Sequence, residues 1–232
     1  MKEVQDREQV ERYLRVHRIE TVFSEQIQHH LSLKCFERGE HLCDQGDTPH
    51  DLYVLVKGRV KVYTTSAEGK TLILSFKSPL ELIGDIEYVR GTEIVNTVEA
   101  VSAVDVLAVP YRWLRKYGQS DPQLLQFLLD HITRKFYVKS HAMSFNLMYP
   151  VEVRLASYLL SVSLEEGNAE QSEPLNQETL MDAANLLGTS YRHLNRVLQQ
   201  FCAEGLIERS KGGVLVKNRD GLSSRAGQNI FE

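Results

Sequence analysis

Five residues between positions 180 and 199, in the stretch LMDAANLLGTSYRHLNRVLQ, are suited to reading nucleic acid. Tyr191, Arg192, Asn195, Arg196 and Gln199 recur at intervals of three and four, which places them on one face of a helix. Arginine donates two parallel bonds to guanine, and asparagine or glutamine pairs in the same way with adenine. Ser190 stands at the N-cap position of that helix, and His193 is spaced to reach a phosphate. Leu194, Val197, Leu198 and Phe201 fall on the opposite face, as a stripe to be buried. The pattern describes a helix laid in a major groove. The same pattern also fits an ordinary helical hairpin with a solvated polar face.

The surrounding elements favour the groove. Ala184, Gly188, Leu194 and Val197 follow the spacing A-x3-G-x5-L-x2-V. A small side chain is needed where two helices cross, and a residue tolerant of positive φ is needed in a three- or four-residue turn. After Phe201 comes CAEGLIERSKGGVLVKN. Gly205 reads as a helix stop, Leu206-Ile207 opens a strand, Lys211-Gly212-Gly213 turns, and Val214-Leu215-Val216 returns. A helix-turn-helix followed by a hairpin is a winged helix, with Lys211 in the wing turn facing phosphates. From Gly188 to Arg219 there are six Lys or Arg against two acids, although the whole chain carries −4. Positive charge concentrated where phosphates lie marks a DNA-binding module.

With 232 residues, 42% of them hydrophobic and 25% charged, the chain has room for one large or two modest domains with real cores. No apolar run approaches the roughly 18 residues of a membrane span. The charged N-terminus MKEVQDREQVERYLRV lacks the apolar core of a signal peptide. Cys35, Cys43 and Cys202 are odd in number and dispersed, so no disulfide framework is indicated. These features predict a cytoplasmic protein with no membrane partner.

Residues 5–30 read as one or two helices with Val10, Leu14, Ile19, Val22, Phe23 and Ile27 as apolar positions. From Leu31 to Pro110, short apolar runs alternate with turn residues: Asp51–Val56, Val60–Tyr63, Leu72–Phe76, Ile94–Val101 and Ala103–Val109. Strands at that spacing predict an antiparallel barrel or jelly roll. Asp121-Pro122 then starts a helix, with Asp as N-cap and Pro in the first turn. Leu125, Leu128, Leu129, Ile132, Phe136, Met143 and Leu147 form its stripe. About 25 residues make a helix of roughly 37 Å, longer than a small barrel can cover. Leu125, Ile132, Lys139 and Asn146, interleaved with Leu128, Lys135 and Ala142, suggest pairing with a second copy. Leu125, Leu128, Ile132, Phe136 and Met143 are the expected seam. Tyr149-Pro150 breaks this helix, a further helix carries Val153 to Val162, and the tail from Asp220 reads as frayed.

The order of β-roll, long helix and winged helix resembles the cyclic-AMP receptor protein/FNR family of bacterial transcription regulators. FERGEHLCDQGDTPHDLYVLVKGRVKVYTTSAEGKTLILSF is similar to the family's β-roll opening, and LELIGDIEY to its ligand loop. SYRHLNRVLQQF with GVLVKNR is most similar to the subgroup typified by the regulator YeiL. The resemblance implies an α+β chain: an N-terminal double-stranded β-helix (jelly-roll) sensor domain over 1–121, a dimerisation helix and hinge over 122–149, and a winged helix-turn-helix over 150–232. It also implies a homodimer on double-stranded DNA that works with RNA polymerase, and it makes Arg196 a base-reading residue. Where relatives often carry Glu, this chain has Arg192, which changes the expected half-site from a cytosine contact to a guanine contact.

The resemblance places an effector pocket at Gly84, Asp85, Asn96, Lys139 and Ser140. A cyclic nucleotide needs backbone amides and an Arg for its phosphate and a carboxylate for its ribose. Gly84 and Asp85 match the family's glycine and acid, but the phosphate-binding Arg falls near Val95, and Arg90 lies elsewhere in the loop. A buried phosphate without a cation is strongly disfavoured, so cyclic AMP is not the expected effector. Gly84 and Asp85 then read as a turn glycine and a cap. Three cysteines cannot supply the four thiolates of an iron–sulfur cluster within one chain. His29, His30, His41, His50 and His141 lack zinc spacing. No cofactor or metal is predicted, the effector is unknown, and no catalytic motif points to an enzyme. A cyclic-nucleotide-responsive scaffold acting through the β-roll alone is the alternative, and the winged helix argues against it.

Overall fold

The computed structural model describes residues 1–4, 6–165, 175–210 and 213–227. The chain forms two compact units, residues 1–135 and 136–232. The first opens with β1 (Lys2–Val4), α1 (Arg7–His17) and α2 (Glu25–Gln28), followed by β2 (Ser32–Phe36), β3 (His41–Cys43), β4 (Asp51–Lys57), β5 (Val60–Thr65), β6 (Thr71–Lys77) and β7 (Glu81–Ile83). Then come α3 (Asp85–Arg90), β8 (Thr97–Ala100), β9 (Val104–Pro110), and α4 (Tyr111–Trp113), which runs into a π-helical turn over Leu114–Gly118. The long helix α5 spans Pro122–Met148.

Two antiparallel sheets make the roll, in the orders β1-β2-β9-β4-β7 and β3-β8-β5-β6. The alternation of β4 and β9 assigns their faces. Leu55, Val104 and Val106 join Phe36, Val60, Ile83 and Val98 in one buried cluster. Leu52, Val54, Val56, Leu107 and Val109 join Val10 and Leu14 of α1, Ile27 of α2, and Leu124 and Leu128 of α5 in another. A sheet covered on both faces needs apolar residues at successive positions, which explains the runs DLYVLV and VDVLAV. Asp6 caps α1 by accepting the Gln9 N–H at 3.0 Å, and Asp121 caps α5 by accepting the Gln123 N–H at 3.0 Å.

In the second unit, α6 (Val151–Glu165), α7 (Gln177–Leu186) and α8 (Tyr191–Ala203) precede the hairpin β10 (Ile207–Ser210) and β11 (Gly213–Val216), and α9 (Arg219–Ala226) closes it. Leu155 and Leu159, Ala183 and Ala184, Leu194, Val197, Leu198 and Phe201, Ile207, Val214 and Leu222 share one core.

Several expectations need correction. Strand β8 starts at Thr97 because Ile94 is held instead by the distant turn at Gly46-Asp47: its N–H donates to the Asp47 carbonyl and its carbonyl accepts from the Gly46 N–H. The N-terminus contributes β1, paired with β2, which its charged sequence does not announce. In the tail, Arg219–Ala226 is helix, capped by Asn218 and anchored by Leu222 and Ala226 in the core, with Arg219 donating to the Ser163 carbonyl at 2.6 Å, and residues 228–232 lie outside the described residues. Leu128, assigned to the pairing seam, is buried with Leu124 against the roll. Leu125, Leu129, Phe136, Met143 and Leu147 remain exposed, and Ile132 is half-buried.

Candidate nucleic-acid interface

The interface depends first on the turn between α7 and α8. Asn176 starts α7 by accepting the Thr179 N–H at 2.9 Å. The helix ends where Leu187 donates to Ala183 and Thr189 donates back to Ala184 at 2.9 Å. That reversal needs a left-handed residue, and Gly188 has φ 60°. Ala184, 1% exposed, keeps the crossing close. Arg154 of α6, itself buried, donates to the Leu187 carbonyl at the end of α7. Nothing in the sequence pattern pointed to this contact, because its partners lie 33 positions apart.

Helix α8 begins at Ser190, whose Oγ accepts the His193 N–H at 3.2 Å. Leu194, Val197, Leu198 and Phe201 are buried. Arg192, Arg196 and Gln199 are exposed, whereas Tyr191, His193 and Asn195 are half-buried. Ser190, Arg192, His193, Asn195, Arg196 and Gln199 line one shallow groove. Tyr191 packs partly against the core, so its outer-face role is reduced to one edge. Asn195 is not free either: Arg209 of β10 donates to its Oδ1 at 2.6 Å, tying the hairpin to α8. Lys211 lies outside the described residues.

The basic excess of this segment is smaller than a count implies. Lys217 pairs with Glu208 at 2.7 Å, Arg219 turns to the Ser163 carbonyl, and Arg209 turns to Asn195. Among the described residues, Arg192 and Arg196 make no ion pair. They are the cations of α8 that remain available for an anionic partner.

The ligand loop of the roll has a different character. Gly84, φ 90°, leads into α3, where an added Cβ would sit 2.7 Å from the Tyr111 hydroxyl and 2.8 Å from the Asp51 carbonyl. Asp85 is 2% exposed. Its carboxylate accepts from Lys135 Nζ at 2.8 and 3.0 Å, and the same ammonium donates to the Leu82 carbonyl at 2.6 Å. Asp85 is therefore a salt-bridge partner and makes no cap. Glu81 lies 3.5 Å from Lys135 and 3.0 Å from Lys77. Burial would raise the Glu81 pKa, but the two ammonium groups outweigh it and hold the carboxyl below its ordinary value. Glu87, also buried, accepts the Val95 N–H at 2.9 Å. The Asn96 carbonyl faces the Cys43 thiol, whose pKa burial and Glu87 push up to about 12. Lys139 and Ser140 fall in the second unit and are exposed. The lysine that meets Asp85 is thus Lys135, one helical turn before Lys139.

Comparison with known proteins decides the family. Residues 33–121 match the cyclic nucleotide-binding domain and residues 153–225 the Crp-like helix-turn-helix domain. Regulatory protein YeiL of Escherichia coli O157:H7 is 32% identical over 187 residues, covering 81% of this chain and 82% of its own. The chain belongs to the CRP/FNR family. Like other members it is a DNA-binding transcription regulator, and the family is not one of enzymes. The cAMP-activated global transcriptional regulator CRP of Salmonella typhimurium is 26% identical over 180 residues, 77% of this chain and 86% of its own. The CRP-family fold recurs in a transcriptional regulator of Thermus thermophilus, with TM-score 0.69, 21% identity and coverage of 86% and 98%. FixK2 of Bradyrhizobium japonicum gives 0.68, 19% identity and coverage of 84% and 96%. Within this CRP/FNR member, no helix among the described residues is long and apolar enough to cross a membrane.

Proposed function

We propose that this regulator is a cytoplasmic homodimer that places one α8 from each protomer in successive major grooves of a pseudo-palindromic operator. Half-sites then lie about 34–36 Å apart. Arg196 and Arg192 read guanines, Gln199 and Asn195 contact adjacent bases, and Ser190, Tyr191, His193 and Lys211 position the backbone. The observation that carries this reading is the division of α8. Leu194, Val197, Leu198 and Phe201 are fully committed to the core, while Arg192 and Arg196 are exposed and make no ion pair among the described residues. Packing gives those two cations nothing to do, and DNA does.

The exposed stripe Leu125, Leu129, Phe136, Met143 and Leu147 supports pairing through α5, because these residues recur on one helical face. The absence of an Arg at Val95 and the Lys135–Asp85 pair support a roll that does not take cyclic AMP. RNA polymerase is the expected protein partner at a promoter.

Electrophoretic shift of random duplex DNA tests the reading. Purified protein should retard it at about 50 mM salt and lose it by orders of magnitude by about 200 mM, as phosphate contacts release counterions. No retardation at any salt concentration would sink it.

A further inference from the structure

The ends of an asparagine amide have opposite hydrogen-bonding character: the oxygen only accepts and the NH2 only donates. Pairing with adenine uses both ends at once, the oxygen on N6 and the nitrogen on N7. An asparagine on a reading helix therefore selects adenine only while both ends are at liberty. Asn195 lacks that liberty. Arg209, on β10 of the hairpin, donates from a terminal guanidinium nitrogen to Asn195 Oδ1 at 2.6 Å, short as charge-assisted bonds are. A guanidinium carries donors and no acceptor, so the amide atom that meets it must be the oxygen. Turning the amide over would set its NH2 against a cation. Asn195 shares the shallow groove of α8 with Arg192, Arg196 and Gln199. Among the described residues its side chain makes no other hydrogen bond.

We infer that Arg209 is a specificity-determining residue: by holding Asn195 Oδ1 it makes Asn195 a donor-only reader of base edges. The inference rests on α8 being the reading helix and assigns which bases that helix accepts at one position. In the major groove guanine offers N7 and O6 as acceptors, adenine N7 and thymine O4, whereas cytosine offers only the N4 donor. The base facing Asn195 is then any of the first three, with cytosine refused and adenine not preferred to guanine. The second lone pair of Oδ1 does not restore the adenine pairing, because an N6 donor brought to it meets the guanidinium charge. A residue of the hairpin thus edits the code of one on the helix.

Binding-site selection tests this with wild type, Arg209→Ala, Asn195→Ala and the double variant Arg209→Ala/Asn195→Ala. Asn195→Ala identifies the position by abolishing selection there. At that position wild type should exclude cytosine and enrich adenine no more than guanine. Arg209→Ala frees Oδ1, and adenine should then exceed guanine by about tenfold, the low end of what one bidentate contact discriminates. In the double variant the gain in adenine should vanish, since it requires Asn195. Loss of a cation that touches only phosphates weakens all sequences alike and leaves the ratio of bases untouched. Should Arg209→Ala prove unstable, Arg209→Met keeps the stem without the donor and should show the same gain.

Adenine already dominant at that position in wild type, or a base ratio unmoved by Arg209→Ala and Arg209→Met, would overturn the proposal. A motif that Asn195→Ala leaves unchanged would also overturn it. A wild type that enriches no motif counts against α8 as the reading helix and removes the proposal with it. A motif still read by Arg196 but carrying adenine opposite Asn195 counts against the proposal alone.

Discussion

Replacing Leu129 and Phe136 of α5 by aspartate should dissolve the dimer while leaving each protomer folded. The two side chains are 59% and 72% exposed in the protomer, so the substitutions cost the isolated chain little. Complete burial of a leucine or phenylalanine contributes about 1.5–3 kcal/mol. Scaled by those exposures, each contributes about 1–2 kcal/mol when a partner covers it. A two-fold interface uses each residue twice, so about 4–8 kcal/mol is lost, before the repulsion of carboxylates brought together on the seam. At 1.4 kcal/mol per tenfold, dimer affinity falls by at least about a thousandfold. Sedimentation velocity from about 0.1 to 50 μM should show a wild-type dimer and a monomeric variant with unchanged circular dichroism. The variant should also lose operator binding. A wild type that is monomeric at about 50 μM yet binds its operator tightly would refute the reasoning, as would a variant that still dimerises normally.

Ser190→Ala removes the cap on α8 and should cost about 1 kcal/mol of stability in thermal or denaturant unfolding, whereas Ser190→Thr should cost much less. A double-mutant cycle of Arg209→Ala with Asn195→Ala should give a coupling of about 0.5–1.5 kcal/mol for the bond between hairpin and α8; additive effects would mean that the bond does not form in solution. Stability should also depend on pH through His131, whose pKa is lowered by burial and by Arg134 and Lys135, against the opposing pull of the Phe127 carbonyl and Glu81. A histidine depressed in the folded state binds its proton better when unfolded, so its contribution is present above about pH 6.5 and is lost as pH falls. Unfolding curves between pH 7.5 and about 5 should show that loss, and His131→Phe should flatten it; an unchanged slope would place the proton elsewhere. Glu81, also lowered, should add a separate loss only below its unfolded value of about 4.3.

Legibility in the sequence followed the range of the interactions. Helix α8 was readable because its buried stripe, its cap at Ser190 and the Gly188 turn are local features with fixed spacings. The start of α5 at Asp121-Pro122 and its end at Tyr149-Pro150 were readable for the same reason. The contacts that join elements were not. Lys135 meets Asp85 across 50 positions, and Arg154 meets Leu187 across 33, and no periodicity marks either partner. The polar tail hid α9 because helix formation there depends on burial of Leu222 and Ala226, two small anchors in an otherwise hydrophilic run. Leu128 misled because two apolar faces run side by side along α5: Leu124 and Leu128 cover the roll, while Leu125, Leu129 and Phe136 remain exposed. Likewise, charge counting gave Arg209, Lys217 and Arg219 the same weight as Arg192 and Arg196, although the first three are spent within the protein.

Binding-site selection from a random duplex library, run in parallel with wild type and Arg196→Ala, tests the central claim most directly. Arg196 is exposed on α8 opposite the buried stripe, so its removal should leave the thermal midpoint nearly unchanged. The wild type should enrich a two-fold symmetric motif with half-sites about one helical turn apart. The variant should lose discrimination at one guanine–cytosine pair in each half-site, at a cost of roughly 1–3 kcal/mol per half-site. Identical motifs from the two proteins, or no symmetric motif from the wild type, would contradict the assignment of α8 as the reading helix.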